Sequence, residues 1–123
     1  MSNIKSYRDL LIWQKSKELC ILVYKNTDNF PKEEMFGLQS QMRRSAVSVP
    51  SNIAEGFSRY FTNDFPRYLR IALGSLYELQ TQIEIAFELS FLTEEKSSIL
   101  NMSCVEIEKM MNSLLNKIIQ SKK

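Results

Sequence analysis

Four stripes of apolar side chains at helical spacing, joined by short connections, predict an all-α fold. It is an up-down-up-down antiparallel four-helix bundle in which residues 1–123 form a single domain. Three glycines and three prolines leave little material for turns, and the two clearest stripes advance in alternating steps of three and four, as a heptad seam does. A chain of 123 residues can bury a core without disulfide or metal staples.

The first helix is expected to begin near Arg8, because Ser6 followed by Asp9 has the spacing of a capping box. Its stripe reads Leu10, Trp13, Cys20, Val23 and Tyr24, and it should stop in the turn-forming run Asn26-Thr27-Asp28-Asn29 before Phe30-Pro31. The second is predicted over roughly 33–60. Glu33 and Glu34 suit the positive end of its dipole, and its stripe is Met35, Leu38, Met42, Val49, Ile53, Phe57 and Tyr60. Pro50 falls inside it. The ring removes a donor and crowds the carbonyl of Ala46. Met42, Val49, Ile53 and Phe57 nevertheless keep one helical phase, which predicts a helix kinked at Pro50 that continues beyond it. Ser45, Ser48, Ser51 and Asn52 are at hand to satisfy freed backbone groups. The third helix follows Thr62 as N-cap, with Pro66 in its first turn and the seam Leu69, Ala72, Leu76, Leu79, Ile83, Ala86, Ser90. The fourth follows Thr93 as N-cap and carries Leu100, Cys104, Ile107, Met111, Leu114 and Ile118.

Composition narrows the chemistry. With no histidine, His-based acid–base, triad and metal chemistry is excluded, as is the Arg-x-x-x-x-His motif of helical ribonucleases. Cys20 and Cys104 form no CxxC pair and point to a reducing compartment. The longest aliphatic run, residues 19–24, is too short to span a bilayer, and the N-terminus has no apolar signal region, so a cytoplasmic location is expected, with no membrane partner. Glu55 and Glu78, with Gln39, Gln41 and Gln82, lie beside the stripes and are read as buried hydrogen-bonding groups or interface polarity more readily than as an acid–base pair. Gly74-Ser75 lacks the rest of a phosphate loop and is read as a point of close helix approach. Trp13 and Tyr24 are read as core or interface anchors. No catalytic residue, metal ligand, cofactor or small-molecule substrate is assigned.

Net charge is only +2, yet it is unevenly spread. All six arginines lie at or before residue 70, and residues 71–108 hold seven acids against Lys96. Folded as a bundle, the end with the N-terminus, the second turn and the C-terminus gathers eight cations, among them Arg59, Arg67, Arg70, Lys122 and Lys123. Against them stand Asp9, Glu55 and Asp64, a formal +5. The opposite end holds seven acids against Lys25, Lys32 and Lys96, a formal −4. Arginines interleaved with Tyr60, Phe61 and Tyr68 suit phosphates and unstacked bases, while a solvated helix end is the plain alternative. Arg43 and Arg44, at mid-helix, are read as subunit-interface residues.

The stretches FPKEEMFGLQSQMRRSAVSVPSNIAEG (30–56) and IALGSLYELQTQIEIA (71–86), with RDLLIWQKSKEL (8–19), resemble the four-helix-bundle family encoded by intervening sequences in bacterial 23S ribosomal RNA genes. The accessory variability determinant of diversity-generating retroelements is a related family, similar in fold, whose basic pentameric barrel binds nucleic acid and a reverse transcriptase. The resemblance implies a homopentamer and assigns no activity. Together these readings describe a non-enzymatic, homo-oligomeric bundle that binds RNA, DNA or a ribonucleoprotein through Arg59, Arg67, Arg70, Lys122 and Lys123. The alternative is a protein-interaction scaffold in which the arginines serve subunit contacts.

Overall fold

The structure, a computed structural model, describes residues 3–121. Among these are four α-helices and no strand: α1 Leu11–Thr27, α2 Leu38–Ser58, α3 Phe65–Glu88 and α4 Glu94–Ser121. Three short 3-10 turns, Tyr7–Asp9, Lys32–Glu34 and Tyr60–Thr62, occupy the approach to α1 and the first two connections. Each helix packs on its neighbours in sequence, and α1 also packs on α4, which closes the ring of an up-down-up-down bundle. The core is continuous, from Leu19, Val23, Met42 and Ile53 to Leu76, Ile83, Leu100 and Met111. Among the described residues, no helix is long and apolar enough to cross a membrane.

Helix starts follow the sequence in part. The Ser6–Asp9 capping box forms, but it caps the 3-10 turn, and α1 begins only at Leu11. Thr93 accepts from the Lys96 amide at 3.2 Å, as an N-cap should. Thr62 does not cap α3. It lies in the 3-10 turn, its hydroxyl donates to the Arg59 carbonyl at 2.8 Å, and Asp64 holds the N-cap position. The left-handed Asn63 (φ 68°) reverses the chain between them, which the capping pattern alone does not reveal. The second helix starts later than expected, at Leu38, because Gly37 adopts a non-helical conformation. The Glu34 carboxylate accepts from the Leu38 amide at 3.0 Å, so an acid expected within the helix caps it from outside. Met35 and Phe36 are thereby left exposed on the connection.

The stripes of α2, α3 and α4 were largely legible in sequence, and that of α1 was not. Its core face is Ile12, Ser16, Leu19, Val23 and Thr27, whereas Trp13 and Cys20 are half-buried and Tyr24 is exposed. Apolar residues occur on several faces of α1, so their spacing admits more than one phase. Thr27 sits in the core because its hydroxyl donates to the Val23 carbonyl at 2.8 Å. In α4, Leu115 is buried in place of the expected Leu114. The α3 seam ends at Ala86, since Ser90 turns left-handed (φ 67°) and the Phe91 amide donates to the Ala86 carbonyl at 2.8 Å, closing the helix.

Helix α2 runs unbroken through Pro50 and lies closest to α3. The seam between them is made of small and polar residues. Ser45 donates to the Glu78 carboxylate at 2.8 Å, Ser48 and Ser75 share a hydrogen bond of 2.8 Å, and Asn52 donates to the Ser48 carbonyl and hydroxyl. At its lower end Gly56 permits contact of the two backbones. A Cβ at residue 56 would lie 2.6 Å from Tyr68 Cβ and 2.9 Å from Phe65 Cδ1. Gly74, expected to serve close approach, does not: it is exposed, and a Cβ there meets nothing within 4 Å.

Helix α1 is tied to α2 by its last turn. Gln39 donates to the Thr27 carbonyl at 2.7 Å, and Arg43 donates to the Tyr24 carbonyl at 3.2 Å. Arg43 also reaches Thr27 Oγ1 and Asp28 Oδ1, each at 2.9 Å, and lies 4.6 Å over the Tyr24 ring. These donors satisfy C-terminal carbonyls that α1 itself leaves open. Arg44 is exposed and makes no ion pair among the described residues.

Two stability measurements follow. Gly56→Ala should lower stability by about 1–3 kcal/mol, since Tyr68 and Phe65 must shift, whereas Gly74→Ala should raise it by up to about 1 kcal/mol through helix propensity alone. Thermal melts of the two variants check the opposite signs. Arg43→Ala should cost about 1–3 kcal/mol and Arg43→Lys should not restore it, because one ammonium cannot span those acceptors, while Arg44→Ala should stay within about 0.5 kcal/mol. Urea unfolding of the three variants reads this directly.

Candidate nucleic-acid interface

The reversal from α2 to α3 brings residues distant in role onto one surface. Phe57, Tyr60 and Phe65 form its floor, with ring centroids 6.0 to 6.4 Å apart and Phe65 fully buried. Above it stands Tyr68, half-buried, with its Cβ at the site of closest approach to Gly56. Two guanidinium groups lie over its ring, Arg67 at 4.6 Å and Arg59 at 5.4 Å from the centroid. One comes from the end of α2 and one from the first turn of α3, so the ring joins arginines across the turn.

Local acids engage both arginines only lightly. Arg59 is 3.4 Å from Glu55 and Arg67 is 3.9 Å from Asp64, with all four side chains substantially exposed. Such surface pairs contribute about 0–1 kcal/mol and are screened by salt. Each guanidinium carries five N–H donors, so most remain available to a ligand. Arg70 is exposed, one turn beyond Arg67, and makes no ion pair among the described residues. Lys122 and Lys123, placed at this end by the sequence, lie outside the described residues.

A second cation–aromatic group, missed by the sequence reading, forms at the start of the chain. Tyr7 and Trp13 meet edge to face with centroids 5.0 Å apart. Arg8 lies 4.7 Å over Tyr7, and Lys17 lies 5.0 Å over Trp13. The i,i+4 spacing of Trp13 and Lys17 was the available signal. Topology puts the Tyr7–Asp9 turn, the α2–α3 turn and the end of α4 at the same end of the bundle.

The groups weighed for catalysis are dispersed. Glu55 pairs with Arg59 and Glu78 with Ser45, so the two carboxylates answer to different partners. Cys20 and Cys104 are free thiols. Burial raises both pKa values, that of Cys104 to about 12, which opposes thiolate formation. Among the described residues no cluster of three or more cysteines and carboxylates could hold a metal ion.

Comparison with known proteins follows the same architecture. A crystal structure at 1.70 Å of a protein of unknown function from the S23 ribosomal protein family of Bacteroides thetaiotaomicron superposes with a TM-score of 0.76 at 27% identity. The match covers 85% of this chain and 98% of that one. No curated protein matches. A sequence profile of the 23S rRNA-intervening sequence proteins matches residues 8–113, which include α1, α2, α3, the Tyr68 cluster and most of α4. Over that span, which is most of its length, the chain belongs to the 23S rRNA-intervening sequence protein family.

Proposed function

We propose that this chain is a non-enzymatic, homo-oligomeric bundle that binds nucleic acid, or a ribonucleoprotein, through its basic end. The observation that carries the reading is the group of three arginines at the α2–α3 turn, two of them held over Tyr68 and none bound by a strong ion pair. A fixed cationic surface at one end, with the acids collected at the other, attracts polyanions and orients them on approach.

Assembly draws on a different part of the surface. Phe36 is 91% exposed and Met102 73%, and Tyr24, Ile85, Leu89 and Ile99 are exposed as well. Extensive exposed apolar area favours burial against further protein. Arg44, exposed and unpaired among the described residues, is the member of the Arg43–Arg44 pair free to reach a neighbouring subunit. This apolar surface is what favours the scaffold reading, in which assembly is the whole function.

Replacing Arg59, Arg67 and Arg70 together with Ala separates the two readings. All three are exposed, so fold and assembly should persist. Affinity for labelled single-stranded RNA should fall, and the slope of log K against log salt should become shallower by about 0.7 per lost phosphate contact. Fluorescence anisotropy across a salt series, with light scattering on each protein, provides the measurement. An intact triple mutant with unchanged affinity and slope would favour the scaffold.

A further inference from the structure

We infer that the basic end recognises the sugar–phosphate backbone and does not read or stack bases. The inference rests on the nucleic-acid reading above and names what part of the ligand is bound. Sequence alone suggested rings interleaved with arginines as stacking platforms. The structure places a partner on Tyr60 and Tyr68, and on Tyr7 and Trp13 of the neighbouring group, while the Phe61 side chain lies outside what is described. Tyr68 lies beneath Arg59 and Arg67, Tyr7 beneath Arg8, and Trp13 beneath Lys17 with Tyr7 edge-on against it. Tyr60 leans on Phe57 and meets Phe65 edge-on at 6.1 Å.

Tyr7, Trp13 and Tyr68 are also half-buried, which reduces the ring area open to a base. A base that stacked on one of them would first have to displace a cation–π contact of about 0.5–2 kcal/mol. The gain from stacking, about 1–3 kcal/mol per base, would be mostly cancelled. The guanidinium groups have the reverse property. A cation–π contact offers the guanidinium no oxygen acceptor, so its N–H donors stay open to phosphate oxygens. A ring beneath an arginine here acts as a rest that limits the side chain's freedom, so less is lost when a phosphate binds. Backbone contacts position a nucleic acid and carry no direct sequence information.

The test uses the unaltered full chain and two labelled strands of equal length and charge, an oligothymidylate and a fully abasic deoxyribose-phosphate strand. Both should bind with affinities within about fivefold of one another and with the same salt slope, since a base stacked on an uncovered ring would give about fivefold or more. Trp13, the single tryptophan, supplies a second readout: at saturation the thymidylate should quench its emission no more than the abasic strand does. Binding of the thymidylate more than about fivefold tighter, or quenching by it alone, overturns this inference and leaves the nucleic-acid reading standing. Absence of binding by both strands overturns the nucleic-acid reading itself.

Discussion

The close approach of α2 to α3 is the constraint on which the rest of the molecule depends. Gly56 lets the end of α2 touch the start of α3, and the Ser45–Glu78 and Ser48–Ser75 bonds fix the register above it. A seam of small residues brings backbones together and buries polar groups that must find partners. Those partners are specific, so sliding the helices by one turn would leave buried hydroxyls unsatisfied. Register is therefore set by hydrogen bonds as well as by the apolar seam. With it set, the chain has only the residues from Arg59 to Asp64 in which to reverse, and a 3-10 turn and the left-handed Asn63 accomplish it. That tight reversal is what carries Arg59 to the ring of Tyr68.

Helix α1 depends on α2 in another way. Its last carbonyls are capped by Gln39 and Arg43, side chains that exist in the right place only once α2 has formed. Glu34 in turn caps α2 from the connection between them. The two helices thus complete each other's ends, and Phe30 meets Phe91 at 5.5 Å to join this connection to the one between α3 and α4. The acidic end is thus tied together by side chains that cross between helices, while the basic end presents Arg59, Arg67 and Arg70 on exposed side chains.

Much of the fold was legible because periodicity and capping are local signals. The seams of α3 and α4, the continuation through Pro50 and the cap at Thr93 all follow from spacing or side-chain chemistry. What failed depended on tertiary context. The phase of α1 was ambiguous because several of its faces are apolar and its buried Thr27 is satisfied by a bond within the helix together with one from Arg43 of α2. Gly56 and Gly74 look alike in sequence, and only the position of the neighbouring helix distinguishes them. At the basic end, sequence placed Arg59, Arg67 and Arg70 together, but it could not show that the arginines themselves occupy the rings. Nor could it show that Arg43, read as an interface residue, has its donors directed to Thr27, Tyr24 and Asp28 of its own chain.

The segregation of charge makes the bundle a dipole along its long axis, formally +3 at one end and −4 at the other among the described residues. Two such bundles laid side by side in the same direction set like poles together and repel, whereas opposite directions attract. A parallel ring must therefore be held by apolar contact against its own electrostatics, and with a Debye length of about 8 Å at physiological ionic strength that repulsion is short in range. For a parallel assembly that bound a polyanion, added salt would act with two signs: it would relieve repulsion between neighbours and weaken the contact of the positive end with the polyanion.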